Sequence, residues 1–144
     1  MDFNDTIARR LALLGAVLVM LGLLTGFVSG SFANPRMGLA GHLEGLMNGT
    51  LLLAVAAAWK FVVLPEGQAR WAFRLFAFGT TTNWLAVTLA GVWGAGAQTM
   101  PLTAAGHSAA PWQEYLISIL LVVLSIAMVA AVSLLIKGFL ASRR

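Results

Sequence analysis

The chain has 144 residues, of which 60% are hydrophobic and 10% charged, and its mean hydropathy is +0.88. A soluble domain carries about 25% charged residues, so this is the composition of a lipid-embedded protein. Its net charge of +4 is spread without a basic cluster and it has no cysteine, which argues against a nucleic-acid surface and excludes disulfides, thiolate ligands and a thiol nucleophile.

The first apolar run, residues 11–32, follows Arg9 and Arg10 and stops at Asn34 and Pro35. It exceeds the roughly 18 to 20 residues that cross a hydrocarbon core of about 30 Å. SFA at 31–33 mimics a signal-peptide cleavage site, but the run is longer than the roughly 7 to 15 residues of a signal core. It is therefore expected to stay as a helix. The second run, 41–64, ends at Pro65, and the polar link EGQAR at 66–70 leads into the third, 71–95. The fourth covers 115–139, after one long outer loop, 96–114. These runs predict an all-α integral membrane four-helix bundle, a single domain over 1–144. With both termini on one side, that side holds Arg9, Arg10, Lys60, Arg70, Arg74, Lys137, Arg143 and Arg144, and the other holds Arg36. The positive-inside rule then places both termini in the cytoplasm.

Glycines recur every four residues at Gly22, Gly26 and Gly30, and again at Gly41, Gly45 and Gly49. Small residues at this spacing let helices approach closely within a membrane. Packing inside the protomer is the expectation for the first helix. On the second helix Gly45 and Gly49 lie within roughly 60° of His42 around the axis. That smooth face suits a flat cofactor, a subunit interface or another helix, and spacing alone does not choose among them.

Polar groups gather toward the outer half. His42 falls near the outer boundary and Asn48 about 9 Å deeper, while Asn83 lies roughly 18 Å from the inner boundary. Glu44, Glu114 and the loop residue His107 fall on the same outer side. Intramembrane polar groups are costly and tend to face a bundle interior or cavity, so this depth is the expected site. Bland roles exist for most of them. Glu44 can complement a helix dipole, Thr80, Thr81 and Thr82 can return their hydroxyls to the preceding turn, and Asn83 can make an interhelical hydrogen bond. The sequon at Asn48 lies within a span, and the glycines at 91, 94 and 96 lack the strand–turn–helix context of a dinucleotide loop. Hydrolase, HExxH and phosphate-loop patterns are absent from the sequence.

LTGF at 24–27, NPRMGL at 34–39, HLEG and MNG within 42–49, TNWL at 82–85, and GHS with PWQE within 106–114 together resemble hydroxylaminobenzene mutase, a small bacterial membrane enzyme. A more distant similarity is to styrene oxide isomerase, a trimeric four-helix enzyme that binds heme b through a second-helix histidine. Its histidine and AsnGly spacing matches His42, Asn48 and Gly49, and its third-helix asparagine matches Asn83. Its functional aspartate and tyrosine fall at Gly79 and Val87, so the epoxide chemistry does not carry over.

The resemblance implies a multi-pass isomerase of the bacterial inner membrane, acting in nitroaromatic degradation, that rearranges aryl hydroxylamines to 2-aminophenols as a homo-oligomer, a trimer on the distant analogy. It further implies ferric heme b on His42 acting as a Lewis acid, with Gly45 and Gly49 receiving the macrocycle. His107 is a lesser ligand candidate, and Arg36 would pair with a propionate. Asn48 and Asn83 would orient substrate, and Glu44 or Glu114 would take the proton. Glu44 lies about 160° from His42 around the helix, which would direct it to a neighbouring protomer's site. A b-type heme electron carrier using His42 and His107, or a small transporter, would be the alternatives.

Overall fold

In the computed structural model, which describes residues 3–142, the chain forms five α-helices. They are α1 (Phe3–Val28), α2 (Pro35–Ala58), α3 (Glu66–Trp93), the single turn α4 (Pro101–Ala104) and α5 (Pro111–Ala141). Among the described residues there is no strand. Short 3-10 turns at Ser29–Ser31 and Trp59–Phe61 finish α1 and α2. Arg143 and Arg144, counted above with the orienting cations, lie outside the described residues.

Each long helix begins before its apolar run, because the preceding polar turn has its own reasons to be helical. In α1 an acid, Asp5, sits in the first turn, where it complements the positive end of the helix dipole. In α2, Pro35 occupies the first turn and the Asn34 side chain accepts from the Met37 N–H at 3.1 Å, a proline start with an N-cap. In α3, Glu66 pairs with Arg70 one turn on at 2.8 Å. In α5, Pro111 starts the helix and the Gln113 side chain accepts from the Ala110 N–H at 3.0 Å. Hydropathy marks only the stretch that lipid can solvate, so it starts late.

The helices alternate in direction, and both described ends of the chain lie at one end of the bundle. α1 packs along α2, α2 along α3, and α5 along the far side of α3. Near the termini the core is built on Leu11, Leu18, Leu52, Trp59 and Phe76. At the opposite, loop end it is built on Met37, Ala86, Val87, Ala90 and Ile117. Because α5 rests chiefly on α3, a broad apolar stripe including Ile119, Ile126 and Val129 stays exposed. Four helices are long and apolar enough to cross a membrane.

Glycine seams set the helix spacing. A Cβ on Gly15 would meet the Gly49 carbonyl oxygen at 2.8 Å, and one on Gly22 would meet the Leu46 amide nitrogen at 2.8 Å. A Cβ on Gly45 would collide with the backbone of Gly22. Backbone-to-backbone approach of this kind is the membrane route to dispersion-driven packing. The seam on α1 is thus Gly15, Gly22 and Gly26, while Gly30, expected to belong to it, faces open space. A second seam joins α2 to α3, where Gly41 faces Thr88 and Gly38 faces Gly91.

Candidate active site

The α2–α3 seam carries one carboxylate. Glu44 points from α2 toward α3, and its Oε2 accepts from Asn83 Nδ2 at 2.6 Å and from Asn48 Nδ2 at 3.0 Å. Asn48 sits one turn further along α2, on the same face, and its Nδ2 also donates to the Glu44 backbone carbonyl at 2.9 Å. The spacing of four residues puts Glu44 and Asn48 side by side, and the antiparallel course of α3 brings Asn83 to the same level. Asn48 is buried, whereas Glu44 and Asn83 are half-buried. Glu44 Oε1 has no hydrogen-bond partner among the described residues. One oxygen is therefore fixed by two amides and the other is left open. The sequence places these three residues at related depths, but only the packing of α3 on α2 makes them one constellation in one chain. Glu44 therefore needs no neighbouring protomer to meet its asparagines.

His42 lies on the opposite side of α2, against α1. Its Nδ1 is 2.8 Å from the Gly22 carbonyl. A carbonyl only accepts, so Nδ1 is the donor in this bond. The ring rests against Gly26, where a Cβ would come within 2.7 Å of Nδ1.

These contacts correct the expectation of heme b. The face of Gly45 and Gly49 that was to receive a flat macrocycle is filled by α1, with Gly22 on Gly45 and with Gly15 and Val19 on Gly49. Among the described residues no three His, Cys, Asp or Glu side chains come together to hold a metal ion. The residues on this face do not fit the group, and His42 serves the α1–α2 seam there. Arg36, assigned to a propionate, is exposed in the first turn of α2. His107 is exposed beyond α4, its Nδ1 3.0 Å from the Ala104 carbonyl.

Glu114 is buried at the head of α5, but away from the Glu44 constellation. Its Oε2 accepts from the Gly96 N–H at 3.0 Å and its Oε1 from the Ala109 N–H at 3.1 Å. Both oxygens are thus engaged in fastening the loop to α5. Gly79 and Val87, where the distant family's acid and phenol fall, are packing positions. Gly79 faces Met128 of α5, and Val87 is buried in the loop-end core.

Two structural clasps were not singled out in the sequence. Asn34 is buried, and besides capping α2 it donates Nδ2 to the Ala104 carbonyl at 2.9 Å, while its backbone N–H reaches the Gly91 carbonyl at 3.0 Å. Trp84 donates its indole N–H to Thr25 Oγ1 at 3.1 Å, tying α3 to α1 across Gly45. In the sequence these residues stood only as members of the motifs LTGF, NPRMGL and TNWL, with no clasp indicated by their spacing.

An all-α bundle of four membrane-length helices, with the Glu44 carboxylate held by two asparagine amides between α2 and α3, defines a small helical protein with a polar cluster set in an apolar frame. The family model described as styrene oxide isomerase matches residues 7–140. Hydroxylaminobenzene mutase HabB of Ectopseudomonas oleovorans is 47% identical over 132 residues, 92% of this chain and 80% of the relative. Hydroxylaminobenzene mutase HabA of the same organism is 44% identical over 126 residues, 88% of this chain and 93% of the relative. No solved structure matches the chain. The chain belongs to the styrene oxide isomerase family, together with the hydroxylaminobenzene mutases, and it is an enzyme of the isomerase, mutase type. The resemblance read from its motifs is borne out.

Proposed function

We propose that the protein rearranges hydroxylaminobenzene-type aryl hydroxylamines to 2-aminophenols, with Glu44 carrying the proton and Asn48 and Asn83 holding Glu44 in place. The names of the two mutases support the substrate class. The observation that carries the assignment of residues is the grip of two amides on one carboxylate oxygen, with the other oxygen open.

The reaction exchanges no electrons with an outside partner. The N–O bond breaks, a C–O bond forms at the ortho ring carbon, and the proton on that carbon leaves to restore aromaticity while the nitrogen gains one. Glu44 Oε1 takes the ring proton and returns it to nitrogen, a general acid–base role worth about 10² to 10⁴ in rate. The two amides fix the carboxylate's orientation, so no reorganisation is needed as charge develops. An apolar surround excludes the water that would otherwise compete for the ring.

In this reading the protein is a multi-pass membrane protein of the bacterial inner membrane with cytoplasmic termini. Its four apolar helices and the excess of cations at the termini end support that placement. It assembles as a homo-oligomer, a trimer on the family analogy. The open apolar groove of Leu46, Met47, Leu51 and Ala54 on α2 supports such a contact.

The test is Glu44→Gln. Its amide oxygen still accepts from Asn48 and Asn83, so helicity and melting should match wild type while kcat for hydroxylaminobenzene falls roughly 10²- to 10⁴-fold. A variant that turns over at the wild-type rate would remove Glu44 from the chemistry.

A further inference from the structure

The termini end of the bundle, away from Glu44, is open between α1 and α3. A cavity of about 340 Å³ opens between the first turns of α1 and α3, walled by Phe3, Ile7 and Phe73 and rimmed by Arg10, Arg70 and Arg74. Its volume falls in the roughly 300 to 1,000 Å³ range of small-ligand sites. Residues 3, 7 and 10 share one face of α1, and 70, 73 and 74 share one face of α3. Arginines some sixty positions apart in sequence are therefore brought to one opening.

Two of the three charges have no ion-pair partner among the described residues. Arg70 is paired with Glu66 at 2.8 Å and also stacks over Phe3 at 5.5 Å. Arg74 stacks on the Trp71 ring at 5.5 Å. Among the described residues no carboxylate lies within ion-pair distance of Arg10 or Arg74. Asp5, on the same turn of α1, points about 100° away from the cavity-facing position 6. Two guanidinium groups without an ion-pair partner among the described residues thus line a cavity whose walls join Phe3, Ile7 and Phe73 to the polar side chain of Thr6.

We propose that this cavity binds the phosphate group of an anionic ligand, and that its apolar walls select a glycerophospholipid headgroup of the cytoplasmic leaflet. Planar guanidinium groups match phosphate oxygens through paired N–H donors, and the phenyl walls suit the glycerol and first acyl carbons. A free phosphate shares the first recognition and lacks the second. The inference rests on the membrane placement and is independent of the mutase assignment.

Wild-type protein in detergent micelles is titrated with phosphatidylglycerol, with phosphatidylcholine and with inorganic phosphate, and bound ligand is counted by native mass spectrometry. Phosphatidylglycerol should bind with one site in clear preference to the other two. The Arg10→Gln, Arg74→Gln double variant should bind it roughly thirty-fold more weakly, as expected for two cations near an anionic headgroup. Melting in lipid-free detergent verifies its fold, and each single variant stands in if the double variant fails to fold. The control Arg9→Gln, Lys60→Gln removes the same charge outside the cavity. Equal loss in that control, or no preference for phosphatidylglycerol over phosphatidylcholine, overturns the site. Inorganic phosphate binding as tightly as the lipid, with the same loss in the double variant, overturns the lipid source and leaves a free-phosphate site. Hydroxylaminobenzene turnover is read in parallel and should persist in both variants.

Discussion

Gly45→Ala separates a helix seam from a cofactor face. A Cβ at Gly45 would strike the Gly22 Cα, would stand 2.8 Å from the Gly22 amide nitrogen, and would stand 3.0 Å from Trp84 Cδ1. Two of these obstacles are backbone, which cannot rotate aside, so α1 must move off α2. Overpacking costs about 1 to 3 kcal/mol, and a rigid obstacle puts this case near the top of that range. Replacing Gly by Ala in a helix returns about 1 kcal/mol. The net loss is about 2 kcal/mol, or roughly 4 to 8 °C in Tm for a chain of this size. The shift also strains the Trp84–Thr25 bond, which crosses the same contact. The assay is thermal unfolding of the purified protein in detergent, with no added ligand. Gly67→Ala is the companion, because nothing lies within 4 Å of its Cβ position, and it should melt at or slightly above wild type. A Gly45→Ala protein as stable as wild type would refute the direct α1–α2 seam and return this face to an external occupant.

Other expectations concern the site and the loop. Glu44→Gln should keep the fold and lose roughly 10²- to 10⁴-fold in kcat. Turnover in heavy-oxygen water should leave the 2-aminophenol unlabelled, because the oxygen moves within one molecule; incorporation of solvent oxygen would replace this route with attack by water on a ring cation. Glu114→Gln keeps one acceptor but turns an amide NH₂ toward a backbone N–H at Gly96 or Ala109. Hydrogen bonds to a charged group contribute about 1.5 to 3 kcal/mol, so melting should fall and exchange at Gly96 or Ala109 should speed up. Unchanged exchange at both amides would show that Glu114 does not fasten the loop.

Much of the fold was legible because long uninterrupted apolar runs obey a simple rule. A backbone in hydrocarbon must satisfy itself, so long apolar runs are helices, and short links such as 62–65 turn one helix against the next. The starts were less legible, since Asn34 with Pro35 and Glu66 with Arg70 begin helices by capping and pairing before hydropathy rises. The site was half legible. Polar residues at one depth could be counted from turns of helix, and Glu44 was correctly placed away from His42. That Asn48 and Asn83 both grip Glu44 depends on how α3 is rotated and registered against α2, and no residue spacing encodes this directly. The glycine face misled for the same reason. A bare surface reads alike whether a macrocycle or another helix covers it, and here Gly15, Val19 and Gly22 cover it.

The sequence by itself determined the helical class, the number of membrane-length segments, the end at which the cations collect and the kinship with the mutases. Each follows from composition, or from motifs read along one strand of text. Only the tertiary structure decided which faces meet. It set His42 against the Gly22 carbonyl, Glu44 between two asparagines, Glu114 on the loop amides, and Arg10 across a cavity from Arg74. Helices that are apolar all round carry no hydrophobic pattern that distinguishes one face from another. Glycine contacts and a few hydrogen bonds choose the rotation of each helix, and that choice exists only once the helices have packed.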